Sequence, residues 1–215
     1  MTTRSILMSL IRQSILILCS YLMLSSGTVS GSESKNDSYH FSIYPNSYAL
    51  ATYFNIQSDD TYRGVVKKSA FRVRTNYDLS NGDGWQATGI KRVLSLGSIY
   101  PWATEVDIYD TRWQHIGMID GQVVSTAAAR FSLYDSEGNL CGIAFLDYSL
   151  STYMIVYPDS DAYPIAELHH HNEIFGQDWW DVIVYDGEQV DERLIRIFAA
   201  MVCDIQHEIE VYYAQ

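Results

Sequence analysis

Short apolar runs bounded by turn residues recur along the chain with the two-residue alternation of half-buried strands. In the first half they fall at residues 51–56, 64–68, 70–75, 89–94 and 104–109, all rich in β-branched and aromatic side chains. The second half is more regular: 106–109 is answered by 116–119, 131–134 by 140–146, and 154–157 by 165–168, each pair reading as strand, turn, strand. Successive units end in Tyr109-Asp110, Tyr134-Asp135, Tyr157-Pro158-Asp159 and Tyr185-Asp186, with the aspartates spaced by 25, 24 and 27 residues. An aspartate there can bond its own downstream backbone and close a turn. Asn81-Gly82-Asp83-Gly84 predicts a tight hairpin, because Asn and Gly tolerate the positive φ such turns demand. Four units leading into a helix fit the successive hairpins of a closed barrel better than an open repeat array.

That helix is predicted at about 191–207. Asp191 can cap its free amides, and Glu192 places negative charge in the first turn. Between Leu194 and Cys203 the single polar residue is Arg196, while Leu194, Ile195, Ile197, Phe198, Met201 and Val202 cover more than one face. A helix without a polar face must be surrounded by protein. Strands at a regular short interval make that surround a β-barrel with the helix as its core; a buried helix in an ordinary α+β domain is the alternative. After Cys203 polar residues return, so the helix is expected to emerge into solvent.

Residues 1–30 have the order of a secretory signal: Arg4 and Arg12, an uncharged apolar run, then small residues up to Ser30. Residues 31–40 read as a flexible lead-in, and the folded domain is expected over 41–215. Export implies a secreted or otherwise extracytoplasmic protein and permits a bridge between Cys141 and Cys203, although two buried thiols is the favoured reading. The formal charge of −12 becomes −14 once Arg4 and Arg12 leave. Such a chain is repelled by a phosphate backbone, which argues against nucleic acid as a partner. The charge is uneven: residues 31–92 carry eight basic and six acidic residues, residues 93–215 four and twenty.

The repeated form apolar-x-apolar-Tyr-Asp-x-x-Gly-x-x-x-Gly is clearest in Phe131-Ser132-Leu133-Tyr134-Asp135-Ser136-Glu137-Gly138-Asn139-Leu140-Cys141-Gly142. Together with an apolar helix placed last, it resembles the tubby C-terminal-like superfamily, which includes the LURP-one-related proteins and the phospholipid scramblases. The resemblance covers roughly residues 41–206. It implies a closed antiparallel barrel of about twelve strands around a central C-terminal helix. For function it implies phosphoinositide binding, as in tubby proteins, or lipid translocation, as in scramblases.

Among candidate sites the strongest is a basic cluster, Lys67, Lys68, Arg72, Arg74, Lys91 and Arg92. Arg72 and Arg74 are two apart on a predicted strand and share a face, and the two dipeptides end nearby strands. Convergence would make an anion-binding patch, and solvated outer-face residues are the plainer reading. Glu167, His169, His170, His171 and Glu173 form the one metal-like cluster, but alternation sends His170 away from its neighbours, so no metal site is predicted. Asp83, Asp110, Asp135, Asp159, Asp161 and Asp186 lack the alternating oxygen ligands of a calcium loop and are explained by Asx turns. Trp179-Trp180 would be a contact site if both indoles were exposed. Gly-x-Ser-x-Gly, a Gly-rich phosphate loop and a catalytic cysteine context are all missing, so no catalytic residue and no cofactor is predicted.

The sequence thus reads as an exported, non-catalytic binding module for anionic phospholipid headgroups or membrane surfaces. A protein-binding role through the acidic second half is the alternative. A secreted hydrolase would require a spatial site that no motif announces.

Overall fold

The computed structural model describes residues 38–48, 50–59, 61–69, 74–92, 103–125, 128–147, 151–172 and 178–213. The predicted signal at 1–30, Arg72 and Glu173 lie outside them. The described chain forms β1 (Tyr39–Tyr48), β2 (Ala51–Ser58), β3 (Thr61–Ser69), β4 (Asn76–Asn81), β5 (Gly84–Lys91) and β6 (Ala103–Asp110). It continues through β7 (His115–Ser125), β8 (Ala128–Asp135), β9 (Leu140–Asp147), β10 (Thr152–Tyr157), β11 (Ser160–His171) and β12 (Trp179–Val184) to helix α1 (Glu192–Tyr213).

Each strand pairs antiparallel with its sequence neighbours, and β1 pairs with β12, so the sheet closes into a twelve-stranded barrel. Closure leaves none of the described strands with an unpaired edge. Because the strands run up and down in order, alternate connections share a rim. The turns after β2, β4, β6, β8 and β10 and the link from β12 to α1 are at one end; the hairpin between β1 and β2 is at the other. The regular aspartate spacing is therefore the length of one down-and-up excursion, and it places Asp59, Asp83, Asp110, Asp135, Asp159 and Asp186 on a single rim.

One set of alternate positions fills the interior. Phe41, Ile43, Phe54, Ile56, Leu79, Ile108, Ile119, Leu133, Ile155 and Val182 are fully buried there, against a helix whose residues from Leu194 to Cys203 are buried apart from Arg196. Phe198 meets Phe131 and Tyr153 edge-on at 5.4 and 6.2 Å. Arg196, the polar exception, bonds Glu192 and lays its guanidinium 5.8 Å from the Phe41 ring. Asp191 caps as predicted, accepting the Arg193 amide at 2.9 Å. The helix runs six residues past the predicted end because Ile205 and Ile209, one turn apart, keep a buried stripe while the other face turns polar.

Other boundaries also move. β1 begins at Tyr39, inside the predicted lead-in. The run 70–75 is not a strand where it is described, since Arg74 and Thr75 precede β4 as irregular chain. Cys141 and Cys203 are buried free thiols; burial pushes the Cys141 thiol up to about 11 and that of Cys203 well above its ordinary value.

Candidate functional site

Strand alternation divides the basic cluster between two faces. Lys67 projects outward from β3, its ammonium 5.6 Å from the centre of the Tyr53 ring. Lys68, the next residue, points inward, where its Nζ lies 2.7 and 2.6 Å from the two Asp204 carboxylate oxygens and 2.9 Å from Glu208 Oε1. Lys91 ends β5 opposite buried Val106 on the inward row. Arg92 is gripped by β6, donating to both Asp107 oxygens at 2.7 Å and to Glu105 at 2.9 Å. Arg74 is exposed just before β4. The structure therefore does not bring Lys67, Lys68, Lys91 and Arg92 into one patch: Lys68 and Arg92 already serve carboxylates of this chain.

What surrounds Lys67 is an aromatic surface on the outer face of β11, β12, β1, β2 and β3. His171 stacks on Trp179 at 4.0 Å, and Trp179 on Tyr44 at 5.7 Å. Farther along, Tyr48 and Tyr53 meet edge-to-face at 5.7 Å, and Asn46 donates to the Tyr48 hydroxyl. The β1–β2 hairpin reverses tightly, since Tyr48 pairs with Ala51. Tyr48 and Leu50 consequently stand at its tip, each 62% exposed, beside an open depression of about 730 Å³ lined by Asn46, Tyr48, Leu50, Ala51, Tyr53 and Asn55. The sequence signal for this surface was the presence of Tyr44, Tyr53 and Trp179 at outward strand positions, visible only once the inward parity is fixed.

Trp179-Trp180 does not form a double contact. Trp180 turns inward at 3% exposure, packed 4.7 Å from His170 and 5.8 Å from Tyr153. The three histidines are likewise dispersed: His169 bridges Glu167 and Thr152 at 3.0 Å each, His170 faces Asp178 at 3.5 Å, and His171 covers Trp179. Among the described residues no group of three His, Cys, Asp or Glu side chains is placed to hold a metal ion. Near the same face Asp181 accepts bonds from His40 and, at 3.1 Å, from the Ser42 hydroxyl. The carboxylate sits between the other two, so the imidazole is not using Ser42 as a proton donor, the contact that would activate a nucleophile.

The opposite rim is acidic. Asp110 accepts the amides of Arg112 and Gln114 at 2.8 and 2.9 Å, Asp135 those of Glu137 and Asn139 at 2.9 and 2.8 Å, and Asp186 that of Glu188 at 3.1 Å. Asx turns thus account for these aspartates, as expected. In the turn after β6, Trp113 takes φ of 60° and is 61% exposed, tilted against Trp85 and Tyr109 at 5.6 and 6.2 Å.

No protein-family model matches the chain. No curated protein matches it.

Proposed function

We propose that this protein is an exported, non-catalytic module that binds anionic membrane surfaces through the β1–β2 end of its barrel. The observation that carries this reading is the hairpin tip, where Tyr48 and Leu50 project beside the Tyr53 and Lys67 pair. An aliphatic side chain can enter the acyl boundary while tyrosines take the headgroup level, where their polar and apolar ends are both satisfied. A lysine beside them gains about 1 kcal/mol at an anionic surface. The aspartate turns occupy the other rim, and of the carboxylates where the helix leaves the barrel at the hairpin's end, Asp204 and Glu208 are paired with Lys68. The resemblance to the tubby C-terminal-like superfamily supports a lipid-directed role in the same sense. Relative to the sequence reading, the centre of the site moves from Arg72 and Arg74 to Tyr48, Leu50 and Lys67.

Sedimentation with vesicles of graded anionic lipid content tests this. Binding should rise with anionic lipid, weaken in salt and on Lys67→Glu, and fall with Leu50→Ser at every salt concentration. Absence of binding at all compositions would remove the proposal.

A second reading is favoured by Trp113. An exposed indole on an acidic rim is the kind of anchor that protein interfaces use, and it would recognise a basic partner. If Trp113→Ala abolishes capture of a basic protein while Leu50→Ser leaves vesicle binding unchanged, this reading replaces the first.

A further inference from the structure

A second concave site lies on the outer face of β8, β9 and β10, away from the hairpin. It is a groove of about 390 Å³ lined by Arg130, Ile143, Phe145 and Val156, and closed toward the acidic rim by Tyr157, Asp159 and their neighbours in that turn. Beside it the pairing of β10 with β11 slips. Ile155 pairs with Ala166, but Val156 pairs with Pro164 and Tyr157 with Ser160, so residues 161–163 have no partner on β10. Bulges of this kind re-aim a strand and are common beside binding sites. Ile155 fills the barrel interior, whereas Val156 faces outward and yet keeps only 5% exposure. An outward valine so sheltered, with Ile143 opposite and Phe145 two residues along, forms an apolar floor on the side of the sheet that is ordinarily polar.

The charge at the groove's upper end is unusual for its surroundings. Residues 93–215 hold twenty acidic and four basic side chains. Three of those bases have carboxylate partners: Arg112 with Asp110, Arg193 with Asp191 and Arg196 with Glu192. Arg130 is exposed and, among the described residues, has no carboxylate within ion-pair distance. An unpaired guanidinium at the end of an apolar groove can take two oxygens of a planar anion at once.

We propose that this groove binds an apolar carboxylate, its head on Arg130 and its hydrocarbon body along Phe145, Ile143 and Val156. Asp159 at the far end sets a second condition: it repels another anionic group there, so the site prefers a monocarboxylate to a dicarboxylate of the same length. The volume is within the range of small-molecule pockets. The proposal is independent of the membrane reading, because no residue of the groove belongs to the hairpin surface.

The test uses the barrel unit, residues 36–215, which contains the closed sheet and its core. The reporter is the fluorescence of anilinonaphthalene sulfonate, an aromatic anion, displaced by decanoate, decanedioate or decanol. A saturable signal that decanoate displaces, with decanedioate and decanol weaker competitors, is expected. Arg130→Gln should weaken decanoate about tenfold, the loss of one charge-assisted contact, without changing the circular dichroism of the fold. Ile143→Ser should weaken decanoate and decanol alike. Equal displacement by decanoate and decanol, an unaltered Arg130→Gln variant, or probe binding lost in Tyr48→Ser but retained in Arg130→Gln would each overturn the assignment. So would the absence of any saturable binding.

Discussion

Lys68 on β3 and Asp204 on α1 are joined by two contacts of 2.7 and 2.6 Å where the helix leaves the barrel. The Tyr77 hydroxyl donates to the same carboxylate at 2.8 Å, and Asp204 is buried. Burial raises the Asp204 carboxyl above its ordinary range despite the ammonium pulling it down; burial pulls the Lys68 ammonium down, but the Asp204 and Glu208 carboxylates together outweigh it and hold the ammonium above its ordinary value. A helix with an apolar surface has little to fix its depth in a greasy barrel, and this polar group, which must be satisfied in one register, supplies that.

Asp204→Ala takes the acceptor from the buried Tyr77 phenol and leaves the inward Lys68 ammonium with Glu208 alone. The expected loss is about 3 kcal/mol in urea unfolding, the scale for breaking a largely buried pair. Replacing the whole group, as Lys68→Met with Asp204→Leu and Tyr77→Phe, should recover most of it. A single variant that unfolds at the wild-type midpoint would show that the contact does not hold the helix.

Close approach of strands gives a second prediction. A Cβ on Gly121 would lie 2.2 Å from the Arg130 carbonyl oxygen and 2.6 Å from Phe131 Cα, both backbone atoms of the paired strand. A Cβ on Gly82 would meet nothing within 4 Å. Gly121→Ala should therefore destabilise by about 1–3 kcal/mol, as overpacking does, while Gly82→Ala should change stability by less than about 0.5 kcal/mol. For a domain of this size each kcal/mol moves the melting temperature by about 2–4 °C, so a thermal scan separates the two. Equal melting temperatures would mean that the strands can move apart locally.

These contacts show which parts of the molecule the sequence could announce. The barrel was legible because two-residue alternation and the aspartate turns are local and repeat with each excursion. Helix α1 was legible because a helix apolar on every side has one kind of environment. β4 was not, since Asn76, Asp78, Ser80 and Asn81 hide the alternation of Tyr77 and Leu79, which is set by the helix and strands around them. The basic cluster misled for a related reason. Lys67-Lys68 and Trp179-Trp180 look like doubled groups in one dimension, yet a strand sends adjacent residues to opposite faces. Asp204, which claims Lys68, lies 136 residues away. The groove at Arg130 gathers side chains from three strands and a turn, which only the sheet pairing brings together.

The aspartate rim makes the fold acid-sensitive in a definite direction. Asp135 accepts the Asn139 side-chain amide at 2.9 Å and the backbone amides of Asn139 and Glu137, and these bonds, with the Asn139 side chain foremost, hold its carboxyl below the ordinary carboxylate range. Asp110 is lowered in the same way by the amides of Gln114 and Arg112. With the folded value below the unfolded one, the unfolded chain takes up a proton first as the pH drops. The contribution is complete above the unfolded value, about 3.9, and disappears as the pH falls through the lowered folded value. Asp135→Asn keeps an oxygen acceptor for the turn but cannot titrate. Its stability at pH 7 should fall modestly, because a neutral oxygen is the weaker acceptor, while its loss of stability between pH 5 and pH 3 should be smaller than in the wild type. Urea midpoints collected across that interval decide the matter: converging curves establish Asp135 as an acid-labile turn, and parallel curves would place the acid sensitivity elsewhere in the barrel.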